Sequence, residues 1–200
     1  MRQALRLVVV LGAMWLLTGC AFTTSKLDVA YSTDSAQGGP LAALPPRVVN
    51  VAAFTDKRPD TARIGYKRNG FGAKTADIVS ARPVPEIVRD AIAAELAKSG
   101  HGAAGAARPE EVVSGEVTDF WFDLAIGFVS IEYTGTVGAI VNVTDAAGTS
   151  LLSRRYQGVQ IESRLAGYEG AWTEVMNTAL AKLVREMSTD FQLAEALTKK

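Results

Sequence analysis

Residues 128–144 read Phe-Val-Ser-Ile-Glu-Tyr-Thr-Gly-Thr-Val-Gly-Ala-Ile-Val-Asn-Val-Thr. Ile131, Tyr133, Val137, Ala139, Val141 and Val143 fall on one side of the alternation. Glu132, Thr134, Thr136, Asn142 and Thr144 fall on the other. A period of two marks a strand with one buried face and one wet face. Val112 to Phe122 lies upstream and Ser150 to Glu162 downstream, and both read as strands. Asp145-Ala146-Ala147-Gly148 supplies a hairpin turn between the second and third of them. Long strands joined by tight turns predict an antiparallel sheet with one face covered.

Two amphipathic helices are available to cover it. Pro83 and Pro85 open the first, since proline is tolerated in a first turn. Val84, Ile87, Val88, Ala91, Ile92 and Leu96 form its stripe, and Gly100 and Gly102 end it. The second runs from about Ala171 to Met187, with Trp172, Val175, Met176, Ala179, Leu183, Val184 and Met187 on one face. Asp190 to Leu197 continues as a short helical tail. Before the first helix, Val48 to Phe54 reads as a strand, and Asp77 to Ala81 suggests a shorter one. The order β-α-β-β-β-α predicts an α+β two-layer sandwich.

The N-terminus has the parts of an export signal. Arg2 and Arg6 precede an apolar run from Leu7 to Leu17, 11 residues long. That is short of the roughly 20 residues that span a bilayer as a helix. The run ends in Leu17-Thr18-Gly19-Cys20, which matches the lipobox of bacterial lipoproteins. Residues 1–19 are thus expected to be a cleaved signal peptide and Cys20 the lipidated first residue of the mature chain. Cys20 is the only cysteine, so no disulfide can form within the chain, and lipidation accounts for it. Ala21, in place of Asp, matches the conventional outer-membrane address of such lipoproteins. Residues 20–46 are rich in Ser, Thr, Gly, Ala and Pro and read as a flexible tether, with Asp28 to Tyr31 a candidate edge strand. Residues 47–200 then form a single periplasmic domain.

Removing Arg2 and Arg6 leaves 19 basic against 21 acidic side chains, a formal charge of −2. A chain so balanced has no overall field to draw it to nucleic acid.

Several stretches together resemble the YajG-like family of outer-membrane lipoproteins. They are the lipobox, Phe54-Thr55-Asp56-Lys57-Arg58, the helix end Ala91 to Gly100, and Val175-Met176-Asn177-Thr178-Ala179-Leu180 leading to Met187-Ser188-Thr189-Asp190. The resemblance implies a small α+β domain on the periplasmic face of the outer membrane, lipid-anchored. It implies no catalytic residues.

A search for chemistry finds no catalytic constellation. His101 is the only histidine, read as a solvated residue at a helix C-terminus, where a cation suits the dipole. With one histidine and no free cysteine, a His/Cys metal site is not expected, and no cofactor motif is present. Glu110-Glu111 and Asp119/Asp123 are carboxylate pairs of a spacing common on exposed faces. Asp56 and Arg58 either pin the turn after the first strand or contact a ligand. Residues 55–75 read as a polar loop. It holds Lys57, Arg58, Arg63, Lys67, Arg68 and Lys74 against Asp56 and Asp60, a local charge of +4. Tyr66 and Phe71 sit among its glycines. Such a loop is either a solvated connector or a grip for an anionic group. Phe120 and Phe122 share one side of their strand and Trp121 faces the other, as part of an interface or under the tether.

Arg58, Arg63, Tyr66, Lys67, Arg68, Phe71 and Trp121 are therefore the candidate ligand-binding residues, and Cys20 the lipidation site. The expected function is a non-enzymatic binding or accessory lipoprotein of the cell envelope. Its expected partners are the membrane and an envelope protein, lipopolysaccharide or peptidoglycan. The alternative is an auxiliary lipoprotein subunit of an ABC-type transport system.

Overall fold

The computed structural model describes residues 23–35, 39–102, 110–165 and 168–198. Cys20 and the signal segment lie outside the described residues.

Three long strands form the frame: β5 (Glu111–Ile126), β6 (Ile131–Asp145) and β7 (Ser150–Arg164). They pair antiparallel, β5 with β6 and β6 with β7. Gly148, at a φ of 86°, closes the β6–β7 turn. The alternation is realised as read. Tyr133, Val137, Ala139, Val141 and Val143 are buried, and their even-numbered neighbours face the other side. On β5 a register slip between Val117 and Asp119 changes the parity of the buried face. Val113 and Val117 are buried before it; Phe120, Phe122 and Leu124 are buried after it.

The free edge of β5 is shared by two further strands. β2 (Val49–Asp56) lies parallel along its first half, and β3 (Gly65–Arg68) meets it in parallel where Gly65 pairs with Phe122. β4 (Lys74–Ser80) pairs antiparallel with β3, and β1 (Ser25–Leu27) pairs parallel with β4. The sheet has seven strands in the order β1-β4-β3-β5-β6-β7, with β2 beside β5. It is therefore mixed, and the expectation of a purely antiparallel sheet is corrected. Parallel pairing arises because α1 (Val84–Lys98) separates β2 from β5 and carries the chain back across the sheet.

Both long helices cover the same face. α1 packs on β2 and β5; α2 (Glu169–Ser188) packs on β6 and β7, and the two helices touch. Val175, Met176, Leu180, Leu183, Val184 and Met187 of α2 are fully buried. Each such side chain contributes roughly 1.5–3 kcal/mol of transfer free energy. The close approach depends on Gly158 of β7. A Cβ there would lie 1.9 Å from the Ala179 carbonyl oxygen on α2. α3 (Phe191–Ala196) follows, with Asp190 Oδ1 accepting from the Gln192 amide at its start.

Two expectations are corrected by packing. The described part of the supposed tether is built into the fold: β1 joins the sheet, and Leu27, Val29 and Leu41 are buried. The Ala30 amide donates to Asn177 of α2 at 2.9 Å, and Tyr31 reaches Glu95 of α1. Residues 55–75 are not a loop either. They hold the end of β2, all of β3 and the start of β4, a hairpin turning at residues 69–73.

Candidate functional site

The face of the sheet opposite the helices has no described element over it. Residues that are neighbours across the strands build its surface. In one row lie Asp77 of β4, Tyr66 of β3, Asp123 of β5, Thr134 of β6 and Ile161 of β7. The next row holds Trp121, Thr136 and Val159, so Tyr66 and Trp121 are diagonal neighbours. Tyr66 and Trp121 meet edge to face, with ring centroids 5.6 Å apart and planes at 67°. Such pairs contribute about 0.5–1.5 kcal/mol beyond simple burial.

Two cations dress the tyrosine. The Lys74 ammonium lies 3.8 Å from the Tyr66 ring centroid, and the Arg63 guanidinium lies 5.3 Å from it. Arg63 Nη1 also donates to the Tyr66 hydroxyl at 2.7 Å. That bond first, then the charges of Asp60 and Asp77, hold Arg63 above the ordinary guanidinium range. Asp60 in turn accepts from the Ala62 and Arg63 amides, fixing the turn that carries Arg63. Beside Trp121 opens a groove of about 320 Å³ lined by Arg58, Pro59, Asp60, Thr118, Asp119 and Phe120. Asp119 at its rim pairs with Arg155 at 2.7 Å.

The predicted site residues separate into three groups. Arg63, Tyr66, Trp121 and Arg68 lie on the uncovered face. Arg68 pairs with Asp123 at 3.1 Å and also donates to the Gly72 carbonyl. Arg58 and Lys67 are turned inward. Arg58 grips Asp56 through two bonds of 2.9 and 2.8 Å and donates to the carbonyls of Thr61, Arg63 and Phe120. These bonds pin the turn after β2, the structural alternative of its two readings, while Arg58 also lines the groove beside Trp121. Lys67 sits on the helix side of β3, where it pairs with Glu169 of α2 at 2.8 Å and faces the Trp172 ring. Phe71 stands apart at the tip of the β3–β4 hairpin, 99 % exposed.

His101 is not solvated. It is fully buried, and its Nε2 donates to the Leu41 carbonyl at 2.7 Å. Gly100, at a φ of 88°, turns the chain inward after α1 and carries His101 under the 41–43 turn. The carboxylate pairs also find partners: Glu110 and Glu111 both contact Arg47. Lys74 and Asp119, noted in the sequence but not among the candidate binding residues, also lie on the open face, and sequence reasoning missed Arg155, Val159 and Ile161 there. The alternation of β7 carried the signal for the last two.

A family described as uncharacterized lipoprotein matches residues 47–198. The chain belongs to that family. Its members' description makes it a bacterial lipoprotein, and so a membrane-anchored envelope protein. The fold is also similar to that of a protein from Xanthomonas campestris, at a TM-score of 0.57 and 16 % identity, covering 86 % of this chain and 96 % of that one. A PelC dodecamer from Paraburkholderia phytofirmans matches at 0.37 and 13 % identity, covering 80 % and 92 %. A lipoprotein from Neisseria meningitidis matches at 0.28 and 16 %, covering 64 % and 92 %. At 16 % identity the likeness to the Xanthomonas protein concerns the fold alone. No curated protein sequence matches the chain. The family match begins at Arg47, whereas the packed structure already includes Ser25.

Proposed function

We propose that this lipoprotein is a non-enzymatic binding module of the YajG-like type. In this reading it is held on the periplasmic face of the outer membrane by lipid on Cys20, and its partner docks on the uncovered sheet face. One observation carries the proposal. An aromatic pair, Tyr66 and Trp121, stands on a face no described element covers, flanked by Arg63 and Lys74. Ring faces and edges receive the apolar face of a sugar, and the two cations attract phosphate or carboxylate. An anionic envelope glycan combines those features; lipopolysaccharide and peptidoglycan are the two sources.

The test is retention of the mature protein on immobilised lipopolysaccharide and, separately, on purified peptidoglycan sacculi. Trp121→Ala and the double change Arg63→Gln with Lys74→Gln should each weaken retention about tenfold, ~1.4 kcal/mol. Salt should weaken the wild type as well, because exposed charges are screened over about 10 Å at 0.1 M. Equal retention of all three proteins on both materials would remove the glycan proposal. Capture of a transport-system subunit that is lost in the same variants would keep the docking face and replace the glycan by a protein. The anchor is tested separately: Cys20→Ser should no longer fractionate with outer membrane after a salt wash.

A further inference from the structure

The described residues expose nine large hydrophobic side chains, and six of them crowd one end of the sheet: Phe71, Ile126, Phe128, Val129, Leu165 and Tyr168. The strand register brings them there. Gly65 lies level with both Phe122 and Ile78, so the β3–β4 hairpin tip points the same way as the β5–β6 tip. Ile131 pairs with Arg164, which puts the end of β7 and Leu165 at that end too. Phe71 and Phe128 stand at the two tips and are 99 % and 104 % exposed. The opposite turn, Asp145 to Thr149, carries only small and polar side chains.

The N-terminal strand starts toward the same end. β1 is parallel to β4, with Ser25 level with Ile78, so chain preceding Ser25 leads toward the tips. Ser25 is five residues after Cys20. Five residues span at most roughly 17 Å. The β5–β6 tip projects about as far beyond Phe122, at roughly 3.4 Å per strand residue.

We infer that this end of the sheet is a second, protein-borne membrane contact, in which the apolar hairpin tips enter the interface of the leaflet that holds the lipid on Cys20. The inference rests on the lipid anchor proposed above. Bilayer is the fitting occupant because so short a leader holds the tips near the membrane. Aromatic and branched side chains at such tips gain free energy on leaving water. Behind the tips Arg68 is paired with Asp123 and Arg164 with Glu162 and Glu174, while the Lys74 ammonium lies over the Tyr66 ring.

The experiment uses the mature, lipidated protein in vesicles of phosphatidylethanolamine and phosphatidylglycerol. Nitroxide labels are placed through Phe71→Cys, Phe128→Cys and, as a control at the far end, Ala147→Cys. Collision with dissolved oxygen should exceed collision with a water-soluble nickel complex at positions 71 and 128, with the reverse at 147. Vesicle-bound protein with all three labels in water overturns the inference while leaving the anchor standing. Labels at 71 and 128 shielded from both reagents would mean a second protein copy covers the tips, which also overturns it. Failure of the lipidated protein to sediment with vesicles removes the anchor, and this inference with it.

Discussion

The hydroxyl of Tyr31 donates a 2.7 Å hydrogen bond to Oε2 of Glu95, a residue only 2 % exposed. The pair joins the N-terminal segment to the last turn of α1 across 64 residues of chain. Burial, and then the bond to Glu95, hold the phenol above the ordinary tyrosine range. Tyr31→Phe keeps the ring and removes the donor, leaving a buried carboxylate short of a partner. The expected loss is about 1–3 kcal/mol, read as a fall of several degrees in thermal midpoint. An unchanged midpoint would show that the segment is only loosely laid on the helix.

Gly158→Ala tests the seating of α2 on β7. A methyl group at that position would lie 1.9 Å from the Ala179 carbonyl and 2.5 Å from the Leu183 amide. Both are backbone atoms, so no side chain can swing away and the helix itself must lift. Overpacking of this kind costs about 1–3 kcal/mol or more. Urea denaturation should show a lower midpoint; an unaltered one would contradict the close helix approach.

Val141→Asp places a carboxylate at a fully buried point of β6. With no partner the charge should cost on the order of 3–5 kcal/mol, enough to abolish cooperative unfolding. Asn142→Asp, one residue on and facing the other side, should change the melting temperature by far less. Similar effects at the two positions would mean that the sheet does not have one dry face.

Glu169 links acid sensitivity to the N-terminal edge. Lys67 first, and then the Ser25 hydroxyl, hold its carboxyl below the ordinary value of 4.5. Because the folded-state value lies below the unfolded one, the stabilisation is complete above about 4.5. It fades as pH falls through the lower, folded-state value. Glu169→Gln should therefore be less stable than wild type at neutral pH, and the gap should narrow as acid is added. A gap that widens on acidification would reverse the assignment.

What was legible in the sequence followed from local period. Strands β5, β6 and β7, both long helices and the inward set Tyr133 to Val143 repeat every two or every three to four residues, and the structure keeps them. The β3–β4 hairpin was hidden because Lys67, a charged residue, occupies an inward position; its partner Glu169 is about a hundred residues away. Parallel pairing of β2 and β1 was hidden for the same reason, since a partner strand far along the chain leaves no local mark. In the N-terminal segment, Leu27, Val29 and Tyr31 do alternate, but surrounding Ser, Thr and Gly masked the pattern. His101 was misplaced because its burial depends on Leu41, which a glycine turn brings over it. At the candidate site Tyr66 and Trp121 were each visible, but their contact across β3 and β5 was not. The inward turn of Lys67 makes it a poor choice for testing surface charge, and Lys74 takes its place.

β1 starts only five residues after Cys20. A domain held by lipid on Cys20, as proposed, would be on a short leash. With the lipid on Cys20 and the tip contact proposed above, it would diffuse in two dimensions, upright on its hairpin tips, with its open sheet face turned sideways along the membrane instead of outward. Encounters then occur laterally, between molecules that share a leaflet or strands of wall that pass close above it. Confinement to a thin layer raises the local concentration of any such partner, as a short linker does for a tethered pair. Weak contacts at Tyr66 and Trp121 would then suffice for stable occupancy in the envelope, while the same domain cut free of its lipid would bind poorly in solution.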